Sequence, residues 1–109
     1  MTDREQNATS GKWTVTVDED LQDLVPGYLE NRRKDAEELQ KALARSDFEV
    51  IRVLGHKMKG SGGGYGFDEI SEIGRALEDA AKQSQAGKIR EEIQRLRHYL
   101  DHVEVRIQS

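Results

Sequence analysis

Apolar side chains recur every three or four residues along most of the chain, which is the spacing of one face of an α-helix. Four such stripes lie at residues 28–43, 48–58, 67–81 and 89–107. In the last stripe the steps alternate between four and three residues, which is close to a heptad seam. Four amphipathic helices with short connections predict an all-α protein, folded as an antiparallel up-down four-helix bundle.

Proline, capping residues and glycine indicate where these helices begin and end. Pro26, the only proline, separates a short extra N-terminal helix from the first long one, because proline suits a first turn and disfavours a helix interior. Ser46 with Glu49 three residues later matches a capping box. The glycine run 60–66 is expected to end the second helix.

The first 13 residues are polar and aperiodic, and we predict that residues 1–13 form a flexible, disordered tail. The sequence WTVTV at 13–17 suits an extended segment, but no second strand is evident to pair with it. We therefore assign residues 14–109 to one helical domain.

Composition narrows the classes of function. The chain has 109 residues, no cysteine and a net charge of −4, so thiolate metal sites are excluded and no nucleic-acid or anionic-membrane partner is expected. No apolar run approaches the length of a membrane span, and the first residues do not resemble a secretory signal. We expect a cytoplasmic monomer.

His56 is the histidine with the most suggestive surroundings. On a helical wheel of residues 47–60 it falls about 150° from the centre of the apolar face, which predicts an exposed imidazole. Lys59 and Gly60 follow it by three and four residues, and Arg52 precedes it by four. An exposed imidazole is a nucleophile near neutral pH, and nearby cations would balance a phosphoryl group. An ordinary surface histidine before a helix stop fits the same pattern.

The stretch HKMKGSGGGYGFDEISEIGRALE, residues 56–78, resembles the signature of histidine-containing phosphotransfer (HPt) domains. That signature has a histidine, any residue, an apolar residue and Lys-Gly. A run of small residues, another glycine and an apolar helix follow. In this chain the first part corresponds to His56, Met58, Lys59 and Gly60. Three consecutive glycines at 62–64 are more than most relatives carry.

The resemblance implies a phosphorelay role. His56 would accept a phosphoryl group on Nε2 from the aspartate of one receiver domain and pass it to another. Lys59 would balance phosphoryl charge with help from Arg52, and Gly60 would leave clearance. Expected partners are response-regulator receiver domains and hybrid sensor histidine kinases, which would dock around Arg52, Val53, Lys57, Gly60 and Gly63.

We expect this chain to need no cofactor of its own, because the divalent cation of the reaction belongs to the receiver domain. Neither nucleotide-binding glycine motif is present, so a carrier without an ATP site is expected rather than an independent enzyme. The competing hypothesis is a helical adaptor module in signalling that does not use His56.

Three other features of the sequence involve charged or metal-binding side chains. His98 and His102 are one helical turn apart, but no further ligand pattern accompanies them, so no metal site is predicted. Arg32 falls on an apolar stripe, which is unusual for a charged side chain. Four acidic residues are expected to form a solubilising face, namely Glu69, Glu72, Glu78 and Asp79.

Overall fold

A computed structural model describes residues 13–108 of the chain. Four α-helices make up most of it: α1 (Val25–Ala44), α2 (Phe48–Ser61), α3 (Asp68–Lys82) and α4 (Ala86–His102). Two short strands, β1 (Trp13–Asp18) and β2 (Val103–Gln108), flank the helices, and 3-10 helices span Glu19–Leu24 and Gly63–Tyr65. Residues 1–12 of the predicted tail lie outside the described residues.

The helices enclose one core. α1 contacts α2 and α4, and α3 contacts the same two helices, so the four form a closed ring. The side chains at its centre come from the predicted stripes, and the largest of them include Leu39, Ile51, Met58, Phe67, Ile73, Leu77 and Leu96. None of the helices in residues 13–108 combines the length and apolar character needed to cross a bilayer.

The two strands correct the sequence-based prediction. β1 and β2 pair in parallel with Trp13 opposite Val103 and Val17 opposite Ile107, so WTVTV does have a partner and the fold is not purely helical. α4 ends at His102, not at residue 107, because Val103 is already extended. Residues 103–108 alternate β-branched and polar side chains, which is the pattern of a strand packed on one face. Trp13 belongs to this sheet and not to a tail, and its ring contacts His98 and Tyr99.

Two helix starts also differ from the prediction. Asp47, not Ser46, caps α2, because its Oδ1 accepts a hydrogen bond from the Val50 backbone nitrogen at 3.3 Å. Ser46 has a φ of 57° and belongs to the turn before the cap. The segment predicted as an extra N-terminal helix is the 3-10 helix Glu19–Leu24, and Pro26 stands in the first turn of α1 as expected.

The contacts of Arg32 explain why this charged side chain lies on the apolar stripe of α1. Its guanidinium carbon lies 4.6 Å from the centroid of the Tyr28 ring, and its Nε lies 2.8 Å from Oδ2 of Asp35. An aromatic face attracts a guanidinium, and the carboxylate beside it balances its charge. Burial raises the pKa of Asp35, while the Arg32 charge acts in the opposite direction.

Candidate functional site

His56 lies on the outer surface of α2, as the wheel predicted. Its side chain is 64% exposed, and its Nδ1 lies 3.0 Å from Oε2 of Glu78 on α3. One ring nitrogen is therefore held by the protein. This arrangement fixes the plane of the imidazole without burying it.

Glu78 is the centre of a small charge cluster. Its side chain is only 6% exposed, and its Oε1 accepts from Nζ of Lys59 at 2.7 Å. Nζ of Lys82, one turn further along α3, lies 3.9 Å from Oε2. The hydrogen bond from Lys59, followed by the one from His56, lowers the pKa of Glu78 to about 2, so the group is a carboxylate at neutral pH.

Because Glu78 is ionised, its oxygens can only accept hydrogen bonds. In the neutral imidazole the proton must then sit on Nδ1, where it is donated to Glu78. The Nε2 atom is left with the free lone pair. The contact thus selects the tautomer in which Nδ1 carries the proton and Nε2 does not.

The same contacts predict a pH dependence of stability. The pKa of Glu78 in the folded state, about 2, lies below the ordinary value of 4.5, so its contribution is fully present above pH 4.5 and is lost as pH falls toward 2. We expect the difference in unfolding free energy between wild type and Glu78→Gln to be constant above pH 4.5 and to shrink below it. Urea titrations at several pH values measure this, and a difference that is independent of pH between 2 and 7 would contradict the assignment.

Two facing glycines bring α2 and α3 close enough for these contacts. A Cβ atom on Gly55 would lie 2.8 Å from both the Glu78 nitrogen and the Gly74 oxygen. A Cβ on Gly74 would overlap the Lys59 backbone nitrogen and lie 2.7 Å from the Gly55 oxygen. Only glycine allows backbones to approach this closely. The crossing therefore places His56 and Lys59 directly over Glu78.

The end of α2 is tied to α3 by Ser71. Its hydroxyl donates to the Lys59 carbonyl at 3.0 Å and accepts from the Gly63 backbone nitrogen at 2.9 Å. Gly62 also lies against α3, because a Cβ there would be 2.6 Å from the Ser71 Oγ. These hydrogen bonds satisfy the Lys59 carbonyl and the Gly63 N–H at the C-terminal end of α2, where regular helical hydrogen bonding stops. They therefore fix the last turn of α2, which carries Lys59.

The residues predicted to dock a partner lie on α2 and on the 3-10 helix that follows it, and they are exposed or half-buried. Arg52 is paired with Glu49, with its Nε 3.0 Å from Oε1, and this hydrogen bond raises the pKa of Arg52 and lowers that of Glu49. Val53 is half-buried, while Lys57, Gly60 and Gly63 are exposed. A Cβ on Gly60 would meet no heavy atom within 4 Å, so that turn is open.

A model of the Hpt domain family matches residues 18–105. This match covers well over half of the chain. The chain belongs to the Hpt domain family. No curated protein and no solved structure matched it. Hpt domains are phosphocarrier modules, not kinases, and they interact with receiver and kinase domains in two-component signalling. The resemblance seen in residues 56–78 is thereby confirmed.

In this Hpt domain the interpretation of the acidic residues was partly wrong. Glu78 is buried against α2 instead of lying on a solubilising face, whereas Glu72 and Asp79 are exposed. Glu69 is half-buried, with its Oε2 3.0 Å from Nε of Arg95. The burial of Glu78 could have been predicted from its spacing from Gly74, because a residue four positions after an interface glycine lies on the same helix face.

The paired histidines of α4 lie apart from this cluster in sequence and in contacts. The ring centroids of His98 and His102 are 4.1 Å apart, and the His102 Nδ1 lies 2.7 Å from the His98 carbonyl oxygen. Within residues 13–108, no group of three or more His, Cys, Asp or Glu side chains is arranged to hold a metal ion.

Proposed function

We propose that this Hpt domain relays a phosphoryl group between receiver-domain aspartates through Nε2 of His56. The observation that carries the proposal is the exposed imidazole whose Nδ1 is held by the buried Glu78 carboxylate. A nucleophile that must meet two partners in turn needs an accessible atom and a fixed orientation. The contact with Glu78 supplies the orientation, and the exposure of the ring supplies the access.

This geometry supports the following transfer step. The Nε2 lone pair attacks the phosphorus of an aspartyl phosphate, the bond from phosphorus to the aspartate oxygen breaks, and the electron pair leaves with the aspartate carboxylate. Nδ1 keeps its proton, so the phosphorylated ring carries a positive charge. Glu78 stabilises that charge, and the ring becomes a good leaving group for the second transfer, in which a new aspartate oxygen attacks the phosphorus.

Lys59 and Lys82 are the cations best placed to serve the phosphoryl oxygens. Both lie near Glu78, at 2.7 and 3.9 Å, and their side chains are 37% and 55% exposed. An ammonium group on a flexible stem can turn from one anion to another when a phosphoryl group arrives. Arg52 can contribute in the same way if it leaves Glu49.

The proposal extends to the partners and the assembly. Receiver domains and hybrid sensor histidine kinases dock across the surface of Arg52, Val53, Lys57, Gly60 and Gly63, and the receiver brings the divalent cation. One cytoplasmic chain, with its four α-helices antiparallel, supplies the whole phosphate-accepting site. His56, Lys59, Glu78 and Lys82 all come from α2 and α3 of that chain.

The test is label transfer from a panel of phosphorylated receiver domains to the pure protein. We expect acid-labile label on the chain, and no label when the pure chain is incubated with ATP alone. Binding of a receiver without any transfer would favour the adaptor hypothesis. Label obtained from ATP alone, in a preparation free of kinases, would contradict the carrier role.

A substitution at Gly60 separates docking from folding. Gly60→Leu should leave the melting temperature close to that of wild type, because no heavy atom lies within 4 Å of the new Cβ. Transfer from a receiver should slow by on the order of 100-fold, since a small displacement of reacting groups is costly. The matched control is Gly87→Leu, at an equally open glycine on α4. If both variants transfer at the wild-type rate, the receiver does not approach across that turn.

Lys59→Ala should act by charge and not by bulk. It removes the closest cation from Glu78 and from the phosphoryl group, so we expect transfer to slow by roughly 10-fold or more while receiver binding changes less. Rate measurements with saturating receiver, compared with binding titrations, distinguish the two effects. Wild-type transfer by Lys59→Ala would assign the charge-balancing role to Lys82.

A further inference from the structure

A groove runs along the seam between α1 and α4, on the opposite side of the helix ring from His56. The contact between His56 and Glu78 joins α2 to α3, and in the ring of four helices the α1–α4 seam lies across from that pair. The α1–α4 groove has a volume of about 450 Å³. It is lined by Gln40, Leu43 and Ala44 of α1 and by Arg90, Ile93, Gln94 and Arg97 of α4. An occupant of this groove leaves the imidazole of His56 accessible.

The α1–α4 groove is basic, although the chain as a whole is acidic. Its lining contains two arginines, two glutamines and no carboxylate, whereas the net charge of the chain is −4. Arg97 donates to the neutral amide oxygen of Gln40 at 2.8 Å. Arg90 is exposed and has no hydrogen-bond or ion-pair partner within residues 13–108. Arginines that pair with carboxylates elsewhere in the domain are Arg32, Arg33, Arg45, Arg52 and Arg95. The groove therefore offers two guanidinium groups whose charge is not balanced by a carboxylate.

The floor of the groove between these arginines is apolar. Arg90 and Arg97 are seven residues apart on α4, which places them on one face and about 10.5 Å apart along the helix axis. Ile93 lies between them on the same face, three residues after Arg90. Leu43 is half-buried and lines the groove from α1. A complementary ligand carries negative charge at both ends of this span and an apolar group in between.

The basic part of the seam ends at Arg97. Beyond it, a smaller groove of about 230 Å³ continues between the same two helices and shares Arg97 in its lining. There Arg33 already pairs with Asp101 at 3.2 Å, and Glu37 adds a further carboxylate. An acidic ligand is therefore favoured beside Arg90 and Arg97 and is repelled further along the seam.

We propose that the α1–α4 groove docks an acidic amphipathic helix of a partner protein. A helix reproduces the spacing of the groove, because carboxylates at positions i and i+7 are as far apart as Arg90 and Arg97. An apolar side chain at i+3 then enters the groove between them, as in other helix-in-groove complexes. Nucleic acid and anionic membranes fit poorly, since two arginines on an acidic domain give too little positive charge. The proposal is independent of the role of His56.

Charge reversal tests the proposal with a defined probe. The probe is a fluorescein-labelled, alanine-based helical peptide that has glutamate, leucine and glutamate at positions i, i+3 and i+7, and fluorescence anisotropy measures its binding. Arg90→Glu and Arg97→Glu should each weaken binding by about 10-fold. Arg75→Glu makes the same change at an exposed arginine of α3 and should bind as wild type does. A peptide with lysines in place of both glutamates should prefer the protein that carries both reversals.

Two isosteric variants give an independent readout that does not alter the shape of the groove. Gln40→Glu and Gln94→Glu each place a carboxylate in its lining, at positions exposed enough to leave the fold intact. Both should weaken binding of the acidic peptide. Gln22→Glu, at an exposed glutamine of the 3-10 helix, is the control and should not. This comparison decides the matter if a charge reversal disturbs folding.

Nitrogen–proton NMR spectra of the ¹⁵N-labelled chain locate the bound peptide. Shift changes should concentrate in residues 40–44 and 90–97 and should be absent around His56. Four results would overturn the proposal: no binding by wild type, shift changes centred on the α2–α3 seam, equal weakening by Arg75→Glu, or equal binding of the acidic and lysine peptides to wild type. Self-association of the wild type that Arg90→Glu abolishes would also overturn it, by assigning the groove to a second copy of the chain.

Discussion

His56→Gln is expected to accept no phosphoryl group from any phosphorylated receiver, while its fold stays intact. The side chain is 64% exposed, so little packing is lost, and a glutamine amide can still donate to Glu78. The loss of stability should stay below about 1.5 kcal/mol, which is the scale of one hydrogen bond. What disappears is the nitrogen lone pair that attacks phosphorus. Label transfer and thermal melting of the same preparation measure the two effects.

The control for this variant uses the two histidines of α4. A protein carrying His98→Gln and His102→Gln together should accept label at the wild-type rate, because neither residue contacts Glu78 or Lys59. Labelling of His56→Gln would contradict the assignment and move the acceptor to one of these positions.

Gly74→Ala should be strongly destabilising for a single methyl group. The added Cβ would overlap the backbone nitrogen of Lys59 and crowd the Gly55 oxygen, and neither atom can move unless α2 moves. Overpacking of this kind costs about 1–3 kcal/mol, occasionally more. The shift of α2 should also lengthen the contact between His56 and Glu78, so transfer should slow as well. Urea unfolding and transfer rates test both consequences.

Gly60→Ala is the matched control, because it makes the same change in an open part of α2. No heavy atom lies within 4 Å of the new Cβ, and the residue is helical. Its unfolding free energy should therefore rise by up to about 1 kcal/mol, from the better helix propensity of alanine. Equal effects of the two substitutions would show that the close crossing of α2 and α3 does not control stability.

The helices followed from the sequence, and the strands did not. The stripes of apolar residues correctly placed the sides of α1 to α4 that face the core. Val103 and Ile107 were misread because residues four apart fit both a helical stripe and alternate positions of a strand. The pairing of Trp13 with Val103 joins the two ends of the described chain, and local patterns carry no information about such a distant partner.

Only the part of the site that lies on α2 could be predicted from the sequence. The exposure of His56 and the proximity of Lys59 both follow from the geometry of α2. Glu78 lies on another helix, and its charge suggested solvent, so its role required knowledge of how α2 and α3 cross. That crossing depends on Gly55 and Gly74. The apolar pattern of the sequence places these glycines on the core side of their helices, but it does not show that the two backbones meet there.

The most direct test of the central claim is to locate the phosphoryl group on the wild-type protein. Phosphorus and nitrogen NMR of the uniformly ¹⁵N-labelled chain, recorded after transfer from a phosphorylated receiver, reports which histidine and which ring nitrogen carry it. We predict a single phosphohistidine at His56, bonded through Nε2, with Nδ1 still protonated against Glu78. A phosphoryl group on Nδ1, or on His98 or His102, would contradict the account.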